Sequence, residues 1–126
     1  MTKYSFQDVF VRTDKKFAYV GISELYCEQL DRVEYINFPE IGEVFAEDDL
    51  FTIDTVSDSF HFISPVSGEV VEINEEIEND PINILESTEF SGWLCKIKLS
   101  DKSELDDMMT YEKYRDFLEG KDEFYD

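Results

Sequence analysis

The chain has 126 residues, 31 acidic and 11 basic, for a formal net charge of −20, with 42% hydrophobic and 15% aromatic residues. That length suits one domain spanning 1–126, and the apolar share closes a core despite the charge, which argues against disorder. So acidic a surface repels a phosphate backbone, which excludes nucleic acid as the expected partner and makes basic protein surfaces the natural complement. The same acid could equally serve only to keep the protein soluble and monomeric, because charge speaks to solubility and association rather than to fold.

Most of the chain alternates with the period of half-buried strands. Val9 and Val11, then Phe17 and Tyr19, form two strands around the turn T-D-K-K. Ser23 caps a short helix in which Leu25, Tyr26 and Leu30 share a face. Val33, Tyr35 and the residues up to Phe38 make another strand, stopped at Pro39, and Gly42 supplies the next turn. Val44 opens a segment that turns at E-D-D and runs through Leu50, Ile53 and Val56. Phe60 and Phe62 begin the return, which Pro65 and Gly68 interrupt before Val70, Val71 and Ile73.

The rest is a polar loop, a strand and a helical tail. Residues Glu75 to Ser91 carry acid, Asn and Pro81, and should hold at most one helical turn. A strand runs from Trp93 to Leu99. Ser103 and Thr110 cap two short helices, the second placing Tyr114, Phe117 and Leu118 on one face and ending at Gly120. Trp93 and Phe117 are expected to be largely buried. Many short strands with Gly/Pro turns and a helical tail predict a mainly β barrel or sandwich.

The N-terminus has no apolar or Arg-rich targeting segment, and no apolar run reaches membrane-spanning length. No membrane association is expected, and the expected compartment is the cytoplasm, or the mitochondrial matrix were the chain eukaryotic. Cys27 and Cys95 belong to no C-x-x-C pair and are expected to pack as buried thiols.

Several separated blocks resemble the H-protein of the glycine cleavage system, within the wider biotinyl/lipoyl carrier fold. V-G-I-S-E-L with Gln29 and Leu30 is similar to that family's first helix, and F-P-E-I-G-E-V to the connection into its carrier hairpin. S-P-V-S-G-E-V-V-E-I-N-E (Ser64 to Glu75) is similar to the strand after the hairpin. Gly92 to Met109 and the following Y-E-K-Y-R-D-F-L are similar to its C-terminal strand and helices. The resemblance implies a lipoyl-domain-like barrel-sandwich hybrid of antiparallel strands with short N-terminal and C-terminal helices. It also implies a carrier rather than a catalyst, with lipoate amide-linked to a hairpin lysine. That arm would pass an aminomethyl group and electrons among a decarboxylase, an aminomethyltransferase and a dihydrolipoamide dehydrogenase.

The attachment lysine of that family stands eight positions before the proline of S-P-V-S-G. Counting back from Pro65 reaches Ser57, behind Asp54, Thr55 and Val56. Residues 33–95 contain neither Lys nor Arg, so no neighbour supplies an amine. A hydroxyl cannot form the stable amide, so Ser57 is expected at an exposed tip of a 44–73 hairpin without lipoate. Other departures are Asp8, Val9 and Phe10 where His, Glu and Trp would stand, Asp31-Arg32 for Gly-Asp, and Thr88 to Phe90 for P-Y-G.

Ser57, Asp58 and His61 are the letters of a nucleophile, an acid and a base. An extended strand points Asp58 away from the other two, and a turn leaves all three in water, so no catalytic residue is expected. His61 is the only histidine and no D-x-D-x-D-G loop is present, so no metal site is expected. Ser57 and Ser59, beside Asp58, could accept phosphate, although exposed serines usually just make a turn.

Two functional readings stand. The first is an H-protein-like domain without its lipoyl lysine, acting as a non-catalytic binding or regulatory module, a monomer that docks basic protein surfaces. The second is a glycine cleavage H-protein with a substituted attachment site, functioning with the complex regardless.

Overall fold

The structure is a computed structural model that describes residues 1–81 and 89–124, with side chains through residue 120. Nine strands follow one another along the chain: β1 (Thr2–Tyr4), β2 (Val9–Asp14), β3 (Phe17–Ile22), β4 (Val33–Asn37), β5 (Gly42–Val44), β6 (Asp49–Thr55), β7 (Ser59–Ile63), β8 (Gly68–Ile73) and β9 (Cys95–Leu99). They form an antiparallel sheet in the order β1-β2-β3-β9-β8-β5 and a second in the order β4-β6-β7. Helices α1 (Glu24–Cys27), α2 (Glu75–Asn79) and α3 (Tyr111–Phe124), with a 3-10 helix at Lys102–Asp107, complete the described elements. This is the mainly β architecture that the alternation predicts.

Strand alternation decides what lies between the sheets. Val9, Val11, Ala18, Val20, Ile22, Cys95, Ile97 and Val70 point inward from the larger sheet and meet Ile53, Phe51 and Phe62 from the smaller one. Phe51 and Phe62 stack at 4.9 Å. A second cluster forms on the opposite, outer face of the larger sheet, where α3 lays Tyr114 over Tyr4, Phe10 and Met109. Gly21 makes room for it: a Cβ there would stand 3.0 Å from the Phe10 ring and 3.3 Å from the Leu94 nitrogen. Gly68 is tighter still, since a Cβ would lie 2.1 Å from the Lys98 carbonyl oxygen on β9.

Several expectations need correction. Tyr35 is 59% exposed, because a register shift between Val33 and Tyr35 breaks the alternation and turns Ile36 inward instead. Helix α1 ends at Cys27, so Leu30 lies beyond it; Tyr26 packs on the inter-sheet core while Leu25 joins the α3 cluster. Asp101, not Ser103, caps the 3-10 helix, its carboxylate accepting from the Ser103 amide at 2.9 Å. Thr110 does accept from the Lys113 amide, but α3 continues past Gly120, where a Cβ would meet open space and nothing forces a stop. Trp93 and Phe117 are half-buried rather than buried, edges of the second cluster. Of the polar loop, Glu75–Asn79 forms a helical turn and Pro81 is already in 3-10 conformation, more helix than the expected single turn, while residues 82–88, Glu86 and Thr88 among them, lie outside the described residues.

Candidate functional site

The β6–β7 hairpin projects the residues on which the sequence reading turns. Its last cross-strand pair is Asp54 with Ser59, and the Thr55 amide donates to the Asp58 carbonyl at 2.8 Å, leaving Val56 and Ser57 as a two-residue loop. Both are exposed, Val56 by 59%. Residues 44–73 as a whole are not one ladder: β5 pairs with β8 in the larger sheet, and only β6 and β7 make the hairpin.

Side-chain hydrogen bonds hold the loop. Thr55 is buried, and its hydroxyl oxygen accepts from the amides of Ser57 at 3.4 Å and Asp58 at 3.2 Å. Asp58 accepts from the Ser59 amide at 2.9 Å, and the Ser59 hydroxyl donates to Asp54 at 2.6 Å. Outside the hairpin, the Val56 amide donates to the Arg32 carbonyl at 3.3 Å, and the Ser57 hydroxyl donates to the Asp31 carboxylate. The tip is therefore tied to the segment between α1 and β4. Asp31, from 26 positions away, is the partner that spacing could not reveal.

The three letters of a triad do not converge. The Ser57 hydroxyl meets Asp31, the Asp58 carboxylate is taken by a backbone amide, and His61 sits opposite Thr52 on the exposed side of β7. Among the described residues no group of three His, Cys, Asp or Glu side chains is arranged to hold a metal ion. Both cysteines are free and buried, and burial pushes the Cys27 thiol up to about 11 and the Cys95 thiol up to about 12. Neither thiol is poised as a nucleophile.

A second polar constellation lies beneath α3. The Tyr114 hydroxyl donates to Asp8 at 2.6 Å and lies 2.5 Å from the buried Ser23 hydroxyl. Since its one proton goes to Asp8, Ser23 must donate its own to the Tyr114 oxygen. Tyr4, stacked on Tyr114 at 4.9 Å, donates to Glu89 at 2.5 Å, and Glu89 also accepts from the Glu24 amide at 2.9 Å. Burial, and then hydrogen bonding to Glu89 or Asp8, pushes both phenols up. Asp8 and Glu89 thus anchor the N-terminal strand, α1 and α3 to one another.

Among the described residues, no helix is long and apolar enough to cross a membrane. Residues 2–121 match the family described as Glycine cleavage H-protein. The chain is 36% identical over 119 residues to the glycine cleavage system H protein of Parvibaculum lavamentivorans, covering 94% of this chain and 95% of that one. It is also 36% identical over 118 residues to that of Thermotoga maritima, covering 93% and 95%. In fold it is similar to the crystal structure of a glycine cleavage system H protein from Mycobacterium marinum, with a TM-score of 0.80 at 22% identity over 90% of this chain and 92% of that one. Taken with the two antiparallel sheets and the projecting β6–β7 hairpin, these matches establish that the chain belongs to the glycine cleavage H-protein family.

Proposed function

We propose that the chain is a non-catalytic H-protein component that works with the other proteins of a glycine cleavage system and carries no lipoyl arm at its hairpin tip. The family match over nearly the whole chain supports a role inside that system over one detached from it. The observation that carries the second half is Ser57: an exposed hydroxyl on the two-residue loop, bonded to Asp31, in a stretch from 33 to 95 with no amine.

An amide-linked lipoyl group does not fit this tip. A lysine would supply a neutral amine to an activated acyl group, whereas Ser57 supplies an alcohol whose ester is more easily hydrolysed. The Ser57 hydroxyl is turned toward the Asp31 carboxylate by its hydrogen bond, and Asp54 and Asp58 crowd the approach with further negative charge. What the tip offers instead is an acidic, shape-fixed knob with Val56 exposed at its end. A partner with a basic, partly apolar recess complements it, and such an encounter is steered by charge.

The test has two arms. With lipoate, ATP and a lipoate ligase the protein should gain no mass, while Ser57→Lys should gain one lipoyl group in a detectable fraction of molecules. Clear lipoylation of the unaltered chain overturns the absence of the arm. In the second arm, association with glycine decarboxylase and aminomethyltransferase from the same cell should slow steeply as salt rises, since screening shortens the reach of charge to about 8 Å at physiological ionic strength. No association with either protein at low salt overturns the role in the system. Asp54→Asn and Asp58→Asn are suitable probes of steering. Glu89 is not, because its carboxylate is bound by Tyr4 and the Glu24 amide.

A further inference from the structure

Charge is divided along this chain and then gathered by folding. Residues 33–95 hold sixteen acidic residues and no Lys or Arg, so all eleven basic residues lie before or after them. Arg12 on β2, Lys16 in the turn, and Lys96 and Lys98 on β9 come together across β3. Alternation puts Arg12, Phe17, Tyr19, Lys96 and Lys98 on the outer face of the larger sheet, opposite the buried Val11, Ala18, Val20, Cys95 and Ile97. Helix α3 roofs that outer face only over Tyr4 and Phe10. Among the described residues, the end with the cations is left open beyond Trp93, whose ring meets that of Tyr19 at 5.1 Å.

The cations there lie on rings. The Arg12 guanidinium carbon is 4.5 Å from the Tyr19 ring centroid, and the Lys96 ammonium is 4.7 Å from that of Phe17 and 5.4 Å from that of Tyr19. Lys16 stands 5.6 Å from the Phe17 ring. All four contacts fall within the reach of a cation–π attraction. Lys96 pairs with Tyr19 on one side and Glu72 on the other, and its ammonium leans over β3, away from the Glu72 side. Arg12 is partly engaged, donating to the carbonyls of Glu89 and Phe90. The lysines are the cations left on that face, Lys98 with Glu69 opposite it on β8, beside the half-buried rings of Phe17 and Tyr19.

We propose that this open end of the β2-β3-β9 face docks an acidic segment of a partner protein. Its carboxylates would meet Lys16, Lys96 and Lys98, and its chain would lie on Phe17 and Tyr19. Charge complementarity selects that occupant. A long polyanion such as nucleic acid meets the field of the whole −20 chain, while a short acidic segment held within a Debye length answers to the local cations. A second copy brings the same net charge and is repelled. The face is built from strands other than those of the acidic hairpin, so it gives the molecule a second contact of opposite sign.

The test uses the full chain and a short, fluorescently labelled poly-glutamate peptide at physiological ionic strength, where the Debye length of about 8 Å screens the rest of the chain's charge. Saturable binding by anisotropy is expected, with amide chemical-shift changes centred on Phe17, Tyr19, Lys96 and Lys98. Lys96→Glu combined with Lys98→Glu should weaken binding at least tenfold, and the milder Lys98→Gln should weaken it by a few-fold. Absence of saturable binding overturns the proposal, as does binding unchanged in the double variant. A single-stranded oligonucleotide that competes equally well at the same amides assigns the face to nucleic acid and overturns it too. So does concentration-dependent self-association that the peptide reverses, because the occupant is then a second copy.

Discussion

Two hairpins in this molecule end in two-residue loops and are held in opposite ways. Between β2 and β3, Asp14 pairs with Phe17 and the turn is made by Lys15 and Lys16, with Lys15 at φ 58°. That turn is set by backbone geometry, in the left-handed region that twisted hairpins favour. Between β6 and β7 no residue takes positive φ. The loop is instead held by Thr55 from within and by Asp31 and Arg32 from without. The first turn is autonomous and cationic, the second borrowed and acidic. A backbone-set turn depends little on side chains elsewhere, although the Lys16 carbonyl also accepts from the Leu99 amide at 2.9 Å, whereas a turn set by distant side chains moves when they do.

The strongest way to break the contrast is at the seam between the two charge regions, where β8 lies against β9. Gly68→Ala places a methyl 2.1 Å from the Lys98 carbonyl and 3.0 Å from Ile97 Cγ2, both parts of a packed sheet. Loss of about 3 kcal/mol or more is expected, read as a fall in the urea midpoint with both regions melting together.

The same seam carries a pH dependence. Burial raises the Cys95 thiol from 9.0 to about 12, so folding favours the neutral form. Its stabilisation is full below pH 9, declines above it, and is gone as pH rises through about 12. Urea midpoints should fall over that window, and Cys95→Ala should show a shallower fall from a lower starting stability. A midpoint flat from pH 9 to 12 would contradict the burial.

Tyr114→Phe comes next. It leaves Asp8 and Ser23 without their shared phenol under α3 and should cost about 1–3 kcal/mol while the hairpin tip is unchanged. Asp31→Ala should do the reverse. Global stability should drop by about 1 kcal/mol or less, but amide exchange at Val56 and Ser57 should accelerate several-fold, because one of the turn's two external ties is gone and only the Val56 bond to the Arg32 carbonyl remains. The smallest effect belongs to the autonomous turn: Lys15→Gly relieves the left-handed strain and should raise stability by under about 1 kcal/mol.

What the sequence could tell follows the same division. Strand alternation and the Gly/Pro turns located β2, β3, β4 and β6 to β9 but missed β1 and read Gly42 of β5 as a turn, and the count back from Pro65 put Ser57 on an exposed loop, where it stands. Local rules could not see Asp31 reach Ser57 or Tyr4 reach Glu89 across 85 positions, because nothing in either neighbourhood encodes the other. Glu89 read as one more surface acid and proved to be an anchor. Tyr35 read as inward because a one-residue slip in register leaves no mark on composition, only on the next apolar residue.

The stacked pair of Tyr4 and Tyr114 has an optical consequence. Each phenol is held protonated by burial and by an adjacent carboxylate, and each is tied to a different piece of the molecule that α3 closes over. Neither can become tyrosinate until α3 lifts and water enters. The chain has seven tyrosines, so the difference in tyrosinate absorbance between the chain and its Tyr4→Phe variant in alkaline solution, rather than the total, gauges how often that helix detaches, with no added label.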